Sequence, residues 1–119
     1  MTPTPDSSLA SEQYCYLTTT GRKSGEAREI EIWFGLEGTT LYMLSGGRNR
    51  SNWVLNLMSD SDVKVRIGES RFDGRARIVT NAEEDARARE LLLHKYAAGY
   101  SGDLSDWGRT ALPVAVDLR

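Results

Sequence analysis

The sequence predicts a mainly β fold with helices, of the α+β class: a small, mostly antiparallel barrel with two helices packed on it. Three observations carry this reading. Short runs rich in β-branched and aromatic residues recur between glycine-marked turns. Only two stretches, residues 51–58 and 82–97, place apolar side chains at helical spacing. The strands also follow one another too closely for repeated right-handed βαβ units. With no G-x-G-x-x-G after a strand, a doubly wound dinucleotide fold is disfavoured.

The elements follow in order. Residues 1–12 hold two of the three prolines and little apolar surface, so they read as a flexible N-terminal tail ahead of a single domain over 13–119. Residues 14–20 (YCYLTTT) form a first strand, and Gly21 to Gly25 a turn. Residues 28–34 alternate charged and apolar side chains as a half-buried second strand. Residues 36–39 are a tight connection, and 40–45 a third strand stopped by Gly46-Gly47. The period then changes: Trp53, Val54, Leu57 and Met58 mark a short helix, capped by Ser51 or Asn49. Residues 63–67 alternate strictly as a strand, and 72–79 form its hairpin partner across Gly68. Thr80 or Asn81 caps a long helix to about Ala97, with Glu83, Glu84 and Asp85 at the positive end of its dipole. A loop rich in Tyr, Gly and Asp leads to a last strand over 112–118, with Pro113 near its start.

Composition removes several functions. The 119 residues suit one domain. Fifteen basic and 17 acidic side chains give a formal charge of −2, without the basic excess of a general nucleic-acid binder. One Cys excludes an intramolecular disulfide framework, and one Cys with one His cannot build a structural zinc site. No apolar run approaches a membrane span, and residues 1–13 lack the pattern of a signal peptide, so a cytoplasmic location is expected. His94 has no G-x-S-x-G elbow to serve, and Cys15 reads as a buried strand thiol.

Three places are left for chemistry. Thr18 to Arg28 (TTTGRKSGEAR) ends a strand in a glycine-bounded turn carrying Arg22, Lys23 and Ser24, with Arg28 beyond it. Such a turn presents N–H groups and cations to an anion, although a solvated hairpin turn is the alternative. Ser45-Gly46-Gly47-Arg48-Asn49-Arg50 turns the chain into a helix N-terminus, a second anion or carbonyl site, with Trp53 as a core anchor in the plainer reading. Tyr96, Tyr100 and Trp107 follow or end the long helix; they line a ligand pocket or cap the core.

Leu17 to Gly25 (LTTTGRKSG), Arg28, Gly46-Gly47, Trp53, Asn56-Leu57 and the closing Arg109 to Val114 (RTALPV) together resemble the deazaflavin-dependent nitroreductase family. The resemblance runs from about Tyr16 to Val116. It implies a split β-barrel related to the FMN-binding oxidoreductases, and binding of the deazaflavin coenzyme F420. By that resemblance Gly21, Arg22, Lys23, Ser24, Gly25 and Arg28 hold the coenzyme's phosphate and acidic tail. Ser45, Gly46, Gly47 and Trp53 border its ring, and Tyr96 and Tyr100 are the catalytic candidates of the substrate pocket. The implied activity is transfer of a hydride to a small electron-poor molecule such as an activated alkene, quinone or nitro compound. An FMN enzyme of the same fold and a non-catalytic cofactor or ligand carrier are the alternatives. The expected partners are a small-molecule substrate and, as for many small split barrels, a second copy of the chain.

Overall fold

The structure, a computed structural model, describes residues 5–100 and 102–119. Seven strands form one antiparallel sheet: β1 (Cys15–Thr20), β2 (Ala27–Ile32), β3 (Gly35–Glu37), β4 (Thr40–Ser45), β5 (Asp62–Ile67), β6 (Ser70–Ile78) and β7 (Leu112–Leu118). Their order is β2-β1-β5-β6-β7-β4-β3. The main helices are α1 (Asn52–Ser59) and α2 (Ala82–Tyr96), with a shorter α3 at Ser105–Thr110.

The order of the strands dictates the curl. β2 and β3 are the two edges of the sheet, yet only Trp33 and Phe34 separate them in the chain. Three Cα steps reach at most ~11 Å. Six spacings of a flat sheet would put the edges ~29 Å apart. The sheet therefore curls into a split barrel whose seam is crossed at Trp33-Phe34. This is why β2 stops at Ile32 rather than running to Phe34 as expected.

Strand periodicity sorts the core into two layers. In β4, Leu41 and Met43 face the barrel interior with Cys15, Leu17, Val65 and Val116, while Tyr42 and Leu44 pack outward toward α2. α2 presents Ala88, Leu92 and Tyr96 to that outer layer. Asn81 caps it by accepting the Glu84 N–H at 2.9 Å. On the same face Arg77 bridges Glu84 and Asp117, and Tyr42 donates to Glu84 at 2.8 Å.

Arg77 holds the Glu84 carboxyl down at about 2 from its ordinary 4.5. A lowered acid pKa adds stability above pH 4.5, and that contribution is lost as the pH falls toward 2. Water screens the pair, so its share is about 1 kcal/mol. Glu84→Gln is accordingly expected to lower the melting temperature at pH 7 and to have little effect at pH 2.5. Thermal melts at the two pH values test this; an equal loss at both would place the effect elsewhere.

Three segments depart from expectation. Of the stretch expected to be a tail, residues Ser7–Ser11 form a 3-10 turn capped by Asp6, and Leu9 packs on the barrel core; residues 1–4 lie outside the described residues. Leu36 belongs to β3, so the connection narrows to Gly38-Thr39, where Gly38 takes a φ of +60°. Residues 105–110 are helical rather than loop, because Gly108 brings α3 close to α2: a Cβ there would meet Leu93 at 2.6 Å. Asp103 starts that helix by accepting the Ser105 N–H.

Candidate active site

The turn after β1 is built by its own backbone. The Gly21 N–H donates to the Glu26 carbonyl and the Gly25 N–H to the Gly21 carbonyl, both at 2.8 Å. Gly25 holds a φ of +75°, which disfavours any side chain there. A Cβ on Gly21 would lie 2.8 Å from Ser24 Oγ. Ser24 Oγ accepts from the Glu26 N–H at 3.1 Å and from Arg28 Nη2 at 3.3 Å, so this serine orders both the turn and the arginine beyond it.

Arg22 is turned toward α1. Its backbone N–H and Nη1 both donate to Asn56 Oδ1, at 3.2 and 2.8 Å, and Nη2 donates to Asn52 Oδ1 at 3.2 Å. Asn56 is buried, and its Nδ2 donates to Thr19 Oγ1 at 3.3 Å. The guanidinium is thus positioned by neutral amides and retains its full charge. Lys23 is exposed and makes no hydrogen bond or ion pair among the described residues. Arg28 has one exposed carboxylate near it, Glu26 at 3.5 Å.

These groups line a cleft of about 630 Å³ with Glu29, Ile30, Asn52 and Trp53. α1 starts beside it without a side-chain cap, so its first amides keep their donors for a ligand. Ser51 is diverted from capping because its hydroxyl meets Ser45 Oγ at 2.9 Å. Gly46, Gly47 and Ser51 line a further concavity that adjoins the start of α1.

The structure separates the expected site residues into groups. Gly21, Arg22, Lys23, Ser24, Arg28 and Trp53 line one cleft, while Gly25 shapes its turn without lining it. Ser45 is buried, and its hydroxyl is occupied by the Arg48 carbonyl and Ser51, so it sets the turn rather than meeting a ligand. Arg48 donates to the Thr110 carbonyl, tying the turn to the end of α3.

Tyr96 is corrected from catalytic candidate to structural clamp. Its hydroxyl accepts the Phe34 N–H at 2.9 Å and donates between the carbonyls of Phe34 (3.0 Å) and Gln13 (2.8 Å). Burial pushes it up to about 12. A buried hydroxyl whose one proton is already shared between two carbonyls has none to give a substrate. Tyr100, by contrast, is 47% exposed, and its hydroxyl has no protein partner among the described residues.

Tyr100 belongs to a second recess of about 610 Å³, with Trp33, Trp107, Leu104 and Tyr14. Trp33 stacks on Tyr96 at 4.2 Å and meets Tyr100 and Trp107 edge-on. Burial also pushes the Cys15 thiol up to about 12, so it holds no thiolate for nucleophilic chemistry. Among the described residues no group of three His, Cys, Asp or Glu side chains could hold a metal. No helix there is long and apolar enough to cross a membrane.

Sequence reasoning assigned no role to Asn52, Thr19 or Trp33, and it quoted Asn56 only within the resemblance. The available signal for the two asparagines was their spacing of four within α1, which places both amides on one face.

A split barrel with a cation-lined cleft at a glycine turn and a helix start defines a protein equipped to hold an anion. Comparisons with known proteins agree. A family model described as F420H(2)-dependent quinone reductase matches residues 7–119, and the chain belongs to that family. It is 30% identical over 104 residues to an F420H(2)-dependent quinone reductase of Mycobacterium tuberculosis, covering 84% of this chain and 68% of that protein. Among solved structures, an F420-H2 dependent reductase (FDR-A) superposes with a TM-score of 0.70 at 22% identity, covering 90% of this chain and 94% of that one. The heme storage protein HutZ of Vibrio cholerae gives 0.73 at 11% identity, covering 93% and 84%. The fold is thus shared by proteins with different ligands. Family membership makes this chain an oxidoreductase that uses coenzyme F420.

The residues present fit that coenzyme. Its phosphate and acidic tail need cations and N–H donors, and the cleft offers Arg22, Lys23 and Arg28 beside the uncapped start of α1.

Proposed function

We propose that the protein reduces a quinone, or a comparably electron-poor small molecule, at the expense of reduced F420. In this reading the coenzyme's anionic end lies between the Gly21–Gly25 turn and α1, and the acceptor enters the recess of Trp33, Tyr100 and Trp107. One observation carries it: Arg22 rests on neutral amide oxygens and Lys23 has no protein partner among the described residues, so both present undiminished charge to an anion. The names of the family and of its mycobacterial relative supply the quinone.

When bound and reduced, F420 supplies a hydride. The chain's own residues bind and orient. Arg22, Lys23 and Arg28 hold the anionic end, with Ser24 steadying Arg28. Gly46, Gly47 and Trp53 border the ring. Tyr100 offers its hydroxyl to the acceptor oxygen, to stabilise or protonate it. A second copy of the chain completes the assembly in this reading, and light scattering at twice the chain mass is the expected result.

The test is a fluorescence titration with oxidised F420, FMN serving as control, followed by turnover of 2-methyl-1,4-naphthoquinone with the reduced coenzyme. Saturable binding of F420 and not FMN, with quinone reduction, is expected. Binding of FMN alone, or of neither, sinks the reading. Tyr100→Phe should lower kcat by roughly tenfold to a hundredfold and leave the F420 affinity intact. A loss of coenzyme binding instead would make Tyr100 a packing residue.

A further inference from the structure

The two concavities are opposite in charge. Arg22, Lys23 and Arg28 line the cleft against the single carboxylate of Glu29. Glu31, Asp103 and Asp106 line the recess, and no lysine or arginine does. Arg109 pairs with Asp106 in an exposed ion pair. Glu31 accepts only the neutral Tyr16 hydroxyl, and Asp103 only the Ser105 backbone N–H, among the described residues. Two negative charges therefore face the recess with no cation paired to either carboxylate among the described residues. Arg66 lies over the ring of Tyr16, the partner of Glu31, at 4.1 Å, which lessens that charge and leaves Asp103 the stronger of the two.

The walls of the recess add a second and independent preference. Tyr100 and Trp107 stand at 87° to the Trp33 plane, with centroids 5.9 and 5.6 Å away. Tyr96 covers one face of Trp33, lying within 4° of parallel to it. Ring faces carry the negative end of the aromatic quadrupole, so a box of this kind favours a flat cation or neutral ring over an anion.

We infer that the recess sorts ligands by charge, admitting flat neutral or cationic molecules and turning away anionic ones, the coenzyme's own acidic tail included. As a rule about acceptors it rests on the proposed function, which puts the acceptor here. The two ligands of the reaction would then be kept to their own places by fields of opposite sign, a discrimination acting through space and weakened by salt.

The experiment uses two bicyclic probes of opposite charge, N-methylquinolinium and naphthalene-2-sulfonate. NMR titration of the full chain follows the indole N–H signals of Trp33 and Trp107. The cation is expected to shift both signals saturably and to bind about fivefold or more tightly than the sulfonate at low salt, as two nearby charges in a largely aqueous medium require. Salt at about 0.5 M should narrow the difference in the unsubstituted protein. Glu31→Gln combined with Asp103→Asn should remove most of it. Equal affinities or no binding of either probe overturns the inference; a full preference that survives both salt and substitution overturns the role given to Glu31 and Asp103 and leaves the sorting to the aromatic walls alone. Quinone turnover is read separately. A preference found without quinone reduction leaves the charge rule standing and defeats the proposed acceptor. Reduction without a preference does the reverse.

Discussion

Lys23→Gln is expected to weaken the affinity for F420 by ~1–3 kcal/mol, about five- to 150-fold in Kd, the usual range for losing a charged hydrogen-bond partner. The same substitution should leave the melting temperature unchanged. Both halves follow from one observation: the amine is exposed and has no partner among the described residues, so its removal breaks nothing in the protein itself. Arg22→Gln is the informative contrast. That side chain holds Asn52 and Asn56, so its loss should lower affinity and stability together. A fluorescence titration and a thermal melt of each variant decide the matter. An unchanged Kd for Lys23→Gln would remove this lysine from the anion clamp.

Tyr96→Phe should destabilise the fold by about 2 kcal/mol while the folded fraction keeps its kcat. The hydroxyl is the hydrogen-bond partner of the buried Phe34 N–H and reaches the carbonyls of Phe34 and Gln13. Removing it strands a buried donor, and an unmatched buried polar group costs about 1–3 kcal/mol. The ring itself remains, so the stack on Trp33 at 4.2 Å is retained. Denaturant unfolding together with steady-state kinetics tests both parts. A stable protein with a collapsed kcat would return Tyr96 to the chemistry and leave the clamp without support. Set beside Tyr100→Phe, the pair separates the two tyrosines that the sequence alone could not tell apart.

Six of the seven strands and both main helices were legible because their cues are local; the three-residue β3, flanked by glycines, read as a connection. Alternation marked β5, helical spacing marked α2, and glycines marked the turns. The break at Trp33-Phe34 was illegible because it reflects where the sheet's two edges meet, a property of the whole strand order. α3 escaped for a similar reason, since six residues containing Gly108 form a helix only against Leu93 of α2. In the site, the basic turn could be read from residue types. That Arg22 leans on Asn52 and Asn56 could not, because 30 and more positions separate them in the chain. Tyr96 misled because an exposed and a buried tyrosine are the same letter. Only burial distinguishes a free hydroxyl from one that is fully engaged.

The position of β7 bears on how the molecule comes into being. β1 with β2, β3 with β4 and β5 with β6 are hairpins that need only neighbouring sequence. β7, the last of the described strands in chain order, lies between β6 and β4 and pairs with both. Without it the sheet falls into a four-stranded piece and a two-stranded piece joined by no ladder. A nascent chain still lacking residues 112–118 therefore exposes two unpaired strand edges, on β6 and β4, the kind of surface that recruits foreign strands. Deletion of residues 112–118 should yield aggregates rather than a smaller folded protein.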